Sequence, residues 1–464
     1  MRNDLLLSVR EARERIAAPA LLLVLGLAAC GDGPTQARDD TDPYVLRIES
    51  TPMAMRQGDS ASVRVGVQSR SGRALPGTRV EWTTSDESVA GVTAEGRVIG
   101  VGRGEAYVRA RHGALADSVL VRVSIRWRSV GIYSMGGSSC ALAWQGKVYC
   151  TGTVTAPGIG ATPPTYSTSW DSVRSGPRVA SFGPTAPPSG CGLTAAGKLV
   201  CWGHRLGTSP AVVEDQVFEL APPVQLARLY PGGNVMCGLS AAGEAYCWGD
   251  GSSGTLGTGS WAAAQQPSAV AGGLRFTGLS IGAATACGVT TERRAYCWGW
   301  NGYGQTGRAD SSYYGRPARL PLDVEFRSVA VGHLRACGID TSDRLWCWGG
   351  TSDRRPTVLA TAHPFERIFA GAGHMCGLTA SGEAFCWGSN SWGELGDGTH
   401  VPRRTPVAVT DNIRFKHLAL GWSHTCGITL ADELYCWGSN SNGQLGTGDR
   451  RSTAVPVRVR EPAA

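Results

Sequence analysis

The chain has 464 residues, long for a single compact core, so several cores or a repeat array are expected. Glycine, at 64 residues, is about twice its usual share, and only 17% of residues are charged, which disfavours helix bundles and coiled coils; 42% hydrophobic content and 15 tryptophans equally disfavour disorder. The net charge of +7 is thinly spread, with only Lys147, Lys198 and Lys416 among 44 basic residues and no basic block, so nucleic acid is not expected as a partner.

In chain order, residues 16–29 (IAAPALLLVLGLAA) form an apolar run too short to span a bilayer comfortably and close to the core of an export signal. Its end, Leu27-Ala28-Ala29-Cys30, resembles a bacterial lipobox, which implies that residues 1–30 are a lipoprotein signal peptide and that Cys30 becomes the lipidated mature N-terminus. Residues 31–43 are polar, carry proline and glycine, and read as a flexible tether. The localisation expected is extracytoplasmic and lipid-anchored. Gly31 after the cysteine resembles the sorting pattern for the outer membrane, where the cell has one.

Residues 44–125 change to short alternating segments (VLRI, SASVRVGVQS, TRVEWTTS, GRVIGVG, EAYVRARHG, DSVLVRV), the period of half-buried strands; six or seven of them predict a β-sandwich. The run from Trp82 to Ala90, followed by Gly96 to Ala106, resembles the bacterial immunoglobulin-like group 2 domain. That resemblance implies a spacer or adhesion module, read here as a stalk.

The fourteen cysteines after Cys30 fall in seven pairs: Cys140 and Cys150, Cys191 and Cys201, Cys237 and Cys247, Cys287 and Cys297, Cys337 and Cys347, Cys376 and Cys386, Cys426 and Cys436, always with nine residues between. Successive first members lie 51, 46, 50, 50, 39 and 50 residues apart, the mark of seven repeats of about fifty residues. Each pair brackets a predicted hairpin whose three-residue loop sets the cysteines opposite each other. The third loop position should be left-handed, and it holds Gly146, Gly197, Gly243, Arg293, Asp343, Gly382 and Asp432, of which only Arg293 resists positive φ. Opposed residues on antiparallel strands suit disulfides. Zinc pairs are closer in sequence, and no C-x-x-C redox motif occurs, so seven structural intra-hairpin bridges are expected.

The second cysteine is followed by Trp-Gly in six repeats (Trp202, Trp248, Trp298, Trp348, Trp387, Trp437), with Thr151 in the first, and these rings should pack between neighbouring units. Four repeats continue into a turn: Asp250-Gly-Ser-Ser-Gly-Thr-Leu-Gly257, Asn301-Gly-Tyr-Gly-Gln-Thr-Gly307, Asn390-Ser-Trp-Gly-Glu-Leu-Gly396 and Asn440-Ser-Asn-Gly-Gln-Leu-Gly446. With these motifs the chain resembles the regulator of chromosome condensation repeat family. The resemblance implies a seven-bladed β-propeller over residues 127–459, followed by a tail at 460–464, so the fold class expected is all-β. Residues 453–459 read as a lone strand, predicted to complete the first blade and close the ring.

Chemistry is sparse. Gly278-Leu-Ser-Ile-Gly282 matches the G-x-S-x-G hydrolase pattern but sits in a predicted strand instead of a strand-turn-helix elbow. His374 and His424 stand two residues before a cysteine and His333 four before, yet no fourth metal ligand is evident, and neither metal nor cofactor is expected. The family's eukaryotic namesake is a nucleotide-exchange factor that binds chromatin; an exported lipoprotein meets neither partner, and fold does not carry function. The expected function is a non-catalytic binding module for a protein or glycan, attached to the membrane through its lipid, with Trp300, Tyr303 and Trp392 as the candidate binding surface. An enzyme working in the central funnel and a structural envelope component are the alternatives. The competing reading of the three aromatic residues is that they pack against the next blade.

Overall fold

Period-two alternation and dense turn residues leave the chain little but strands to form. The computed structural model describes residues 44–462 except 70, 76–77, 133–136, 155–164, 174–177, 185–188, 205, 208–212 and 351–352. Cys30, the signal segment and the tether lie outside the described residues. Apart from one 3-10 turn at Thr410–Asn412, every regular element described is a strand.

Nine strands between Tyr44 and Ser124 build the N-terminal sandwich, two or three more than the sequence pattern separates. Its main sheet runs Met53–Arg56, Leu115–Ser124, Gly104–His112, Glu81–Thr84, the first pair parallel. Strict alternation of buried and exposed residues along Gly104–His112 turns Ala106, Val108 and Ala110 inward, where the first two meet Val89, Val98, Val119 and Val121.

The rest of the chain forms seven four-stranded antiparallel sheets, blades 1 to 7, at 127–172, 181–220, 226–269, 276–319, 326–359, 367–408 and 415–458. The first strand of each blade touches the first strand of the next, and that of blade 7 touches that of blade 1, so the ring is closed. Closure differs from the sequence expectation. Thr453–Arg458 pairs with Leu434–Gly438 inside blade 7, and blade 1 has its own first strand, Trp127–Ile132. The physical reason is phase: Trp127 occupies the place of Phe276, Phe326 and Phe415, each of which pairs across a bulge with the end of its blade's second strand. The ring is therefore joined by side chains and not by strand exchange. Trp127, Val130 and Ile132 pack with Ile428, Leu434 and Leu445 of blade 7.

In every blade the two cysteines are opposed in register across the second and third strands. Cys140 faces Cys150 in blade 1, Cys191 faces Cys201 in blade 2, and Cys237 faces Cys247 in blade 3. Cys287 faces Cys297 in blade 4, Cys337 faces Cys347 in blade 5, Cys376 faces Cys386 in blade 6, and Cys426 faces Cys436 in blade 7. The Cα atoms of each pair lie 4.0 to 4.1 Å apart and a disulfide joins them, so no bridge crosses from one blade to another. All seven third loop positions have positive φ, from 59° at Arg293 to 84° at Gly146. Arg293 is held there by its hairpin against its own preference. Arg293→Gly should therefore raise stability by about 1 kcal/mol, read as a higher melting temperature, since glycine adopts this conformation freely. An unchanged or lower melting temperature would show that the arginine side chain offsets the strain.

The Trp-Gly motif has two jobs. The tryptophan is buried between blades: Nε1 of Trp298, Trp348 and Trp437 donates at 2.7 to 3.0 Å to the carbonyls of Thr255, Gln305 and Glu394 in the preceding blade's turn. The glycine sits at a bulge, and at Gly299 (φ 94°) a Cβ would come 2.4 Å from the Ala284 carbonyl oxygen.

Candidate binding face

Because the four strands of a blade are consecutive and antiparallel, the links from strand one to two and from three to four emerge on one face. The cysteine hairpins and the links between blades emerge on the other. The sandwich is docked on the hairpin face. Arg56 pairs with Glu433 at 3.5 Å, Arg103 with Glu461 at 3.1 Å, and Arg126, at the junction, with Asp432 at 2.5 Å and Asp59 at 3.7 Å. Gln145 of the blade 1 hairpin reaches the Val101 carbonyl. Lys416 and Arg126 hold the Asp432 carboxyl below its ordinary range, against the opposing effect of its burial.

The opposite face collects aromatic rings. Trp261, Tyr313, Trp392 and Trp422 are 46 to 53% exposed there, and Trp261 meets Tyr313 edge-on. Among described propeller residues the other large exposed ring is Trp144, on the hairpin face beneath the Arg126 guanidinium.

The bridged cysteines form no part of this face. Cys150, Cys201, Cys247, Cys297, Cys386 and Cys436 are buried with their partners inside the blades, and Cys347 is partly buried beside Cys337. Their role is to pin the hairpins on which the turns are mounted.

Of the three aromatic residues singled out in the sequence, Trp300 and Tyr303 are brought together at 5.3 Å between centroids, while Trp392 stands apart on blade 6. The turns that carry Tyr303 and Trp392 are built alike. The side-chain oxygen of Asn301 accepts from the Thr306 amide and that of Asn390 from the Leu395 amide; the amide of Tyr303 or Trp392 donates to the side chain two residues on, Gln305 or Glu394. That geometry throws the third turn residue outward. Glu394 is buried, and burial raises its pKa.

Two members of this face lack a repeat signature. His333 and Trp422 hold equivalent places in the links after the first strands of blades 5 and 7, each following a glycine. Their rings complete a row: Trp300 to His333 at 5.6 Å and His333 to Trp422 at 5.3 Å. Burial lowers the His333 pKa.

His374 and His424 are not on the face. His374 Nε2 lies 2.8 Å from Thr425 Oγ1, and His424 Nε2 lies 2.9 Å from Ser139 Oγ, each tying one blade to the next. Among the described residues no group of three or more His, Cys, Asp or Glu side chains is placed to hold a metal. Ser280 of the G-x-S-x-G stretch lies inside the strand Phe276–Ile281 and accepts the Val331 amide at 2.9 Å, a blade-to-blade contact with no elbow. The first strands also tie blades together: Arg228, Arg327 and Arg367 donate to the carbonyls of Thr277, Phe365 and Lys416 in the following blades.

These features define a disulfide-pinned propeller with a single docked sandwich. Residues 276–305, 365–393 and 415–444 match one model of the regulator of chromosome condensation (RCC1) repeat, residues 381–428 and 431–464 match a second, and residues 46–123 match the bacterial Ig-like domain (group 2). The chain thus carries a group 2 bacterial Ig-like domain followed by a propeller in which RCC1 repeats are matched in blades 4, 6 and 7. In fold it is similar to human WBSCR16, with 20% identity and a TM-score of 0.58 over 69% of this chain and 91% of that one. It is likewise similar to Prp20p from Saccharomyces cerevisiae, with 18% identity and a TM-score of 0.57 over 66% of this chain and 83% of that one. A search of curated proteins finds no match to the chain. Seven disulfides belong to an oxidising, extracytoplasmic environment. Among the described residues no helix is long and apolar enough to cross a membrane.

Proposed function

We propose that the protein is a lipid-anchored extracytoplasmic binding module that takes a protein or glycan ligand on the propeller face opposite the Ig-like domain. The observation that carries this is the segregation of exposed rings: Trp261, Tyr313, Trp392 and Trp422 all lie on the face turned away from the stalk. Tryptophan and tyrosine supply much of the energy at binding surfaces, and clustering on one face is what a docking site requires. The lipobox resemblance at Cys30 and the seven disulfides support the anchored, exported setting. Prp20p is described as binding Gsp1p and histones, which shows what one propeller of this fold does in another cell and supports protein recognition in general terms only.

The test uses the chain from residue 31 onward, immobilised and exposed to envelope extract of the producing cell. Trp392→Ala and Trp422→Ala should each weaken retention of the captured component by about 1 to 4 kcal/mol with little change in melting temperature. A large fall in melting temperature with unaltered retention would make these rings packing residues and take the ligand off this face.

A further inference from the structure

Between blades 5 and 6 the aromatic face opens into a groove of about 310 Å³. Tyr303 forms one rim and three guanidinium groups, Arg335, Arg403 and Arg404, form the others. The acidic residues beneath are turned inward. The side chain of Asp397 is 3% exposed and paired with Arg403 at 3.1 Å, and Glu394 is buried under its own turn. Among the described residues the side chains of Arg335 and Arg404 make neither an ion pair nor a hydrogen bond, so two of the three guanidinium groups present positive charge without a paired carboxylate, while Asp397 neutralises Arg403. Gly350, Gly373, Gly388, Ser389, Leu334 and Pro402 complete its lining. Gly350 is what gives the Arg335 guanidinium room, since a Cβ there would meet its Nε at 2.9 Å.

We propose that this groove binds the carboxylate-bearing sugars of an acidic polysaccharide, with the row Tyr303, Trp300, His333 and Trp422 receiving neighbouring sugars of the same chain. This rests on the binding-face reading above and names its ligand. Guanidinium groups recognise carboxylates by paired, charge-assisted hydrogen bonds. Glycine backbone and the Ser389 hydroxyl meet a ligand rich in hydroxyl groups, and Leu334, Pro402 and the Tyr303 ring offer apolar surface to the C–H face of a sugar; an acidic peptide would meet the same guanidinium groups, and the polyglutamate probe below separates the two. The Trp300, His333 and Trp422 rings continue from the groove at 5.3 to 5.6 Å spacing, which suits a linear ligand better than a compact one. Single-stranded nucleic acid uses the same combination of stacking and positive charge, but the disulfides place the protein where nucleic acid is not the ordinary partner.

The experiment measures binding of the chain from residue 31 onward to polygalacturonate oligomers, with polyglutamate, oligothymidylate and neutral dextran as comparison probes. Polygalacturonate should bind, more weakly as salt rises, and dextran should not. Arg335→Gln and Arg404→Gln should each lower the affinity about tenfold while the melting temperature stays within about 2 °C of the parent, and Arg335→Lys should recover only part of the loss. Absence of polygalacturonate binding, binding that neither arginine variant alters, or tighter binding of polyglutamate or oligothymidylate would overturn the assignment. None of those results touches the retention test with Trp392→Ala and Trp422→Ala, so failure of the ligand class and failure of the binding face are told apart.

Discussion

Acidification from pH 7 to pH 5 should lower the unfolding free energy by about 6 kcal/mol, roughly 2 from each of the histidines His374, His417 and His424. His374 and His424 are fully buried, and burial pushes both pKa values down to about 3, with the two rings' mutual repulsion adding to the effect at His374. The hydrogen-bond chain explains why a proton cannot be accommodated. Thr425 Oγ1 donates to the Glu394 carbonyl at 2.9 Å, so it accepts from His374 Nε2–H, and His374 Nδ1 is left buried with no partner. A proton on Nδ1 would place a charge in a dry seam with nothing to receive it. In the unfolded chain these histidines bind protons below an ordinary pKa of about 6.5, while in the folded chain His374 and His424 do not until about pH 3 and His417 not until about pH 4. Stability is therefore complete above about pH 6.5 and is lost as pH falls from there toward 3, at roughly 2 kcal/mol per histidine by pH 5. The carboxylates held low by their partners, Asp340, Asp397 and Asp432, act only in more acid solution. Urea unfolding at pH 7 and pH 5 decides the matter. In the double variant His374→Gln, His424→Gln the difference between the two pH values should shrink by about 4 kcal/mol, leaving the part due to His417, whose ring burial likewise pushes down to about 4, whatever the variant costs in absolute stability. A pH dependence that the double substitution leaves undiminished would rule out His374 and His424 as its source.

The same seam shows how far the sequence can be read. The hairpins were legible because three independent constraints coincide at fixed spacing: opposed cysteines, a tolerant residue at the third loop position, and a Trp-Gly bulge. Arg293 fits because the Cys287–Cys297 disulfide and the ladder on either side of it fix the loop regardless of its own preference. The joint between blades 7 and 1 was not legible, since the lone strand 453–458 invites an exchange that a closed ring of complete blades does not need. The face was half legible. Tyr303 and Trp392 recur at one turn position and can be found by alignment of the repeats, but Trp422 and His333 share only a preceding glycine, and their meeting depends on two links approaching each other across the ring. Arg335 gives no signal, because one arginine among many declares itself only when the structure shows that its guanidinium has no carboxylate.

Trp170→Ala should destabilise the propeller by about 3 to 5 kcal/mol, the range for removing a fully buried large side chain, although the residue belongs to an outer strand and to no repeat motif. Blade 1 has Thr151 where six other blades have tryptophan, which would leave a gap at the joint that closes the ring. Trp170, from the strand Thr165–Ser172, fills it: its side chain is fully buried with Trp127 and with Leu445 and Val459 of blade 7. The substitution is visible in the turn glycines, because Trp170 lies against Gly446 as Trp298 lies against Gly257 and Trp437 against Gly396. Thr151 keeps a smaller part of the role by donating to the Gly443 carbonyl at 2.9 Å. Emptying the site removes apolar contact from both the first and the last blade at once, so the loss should fall on the cooperative unfolding of the whole ring and not on local fraying of blade 1. Denaturant unfolding followed by tryptophan fluorescence, with hydrogen exchange in blades 1 and 7, reads both parts of the expectation. A loss below about 1 kcal/mol, or one confined to blade 1, would mean that Trp170 does not complete the joint and that the backbone and the remaining contacts of Trp127 close the ring without it.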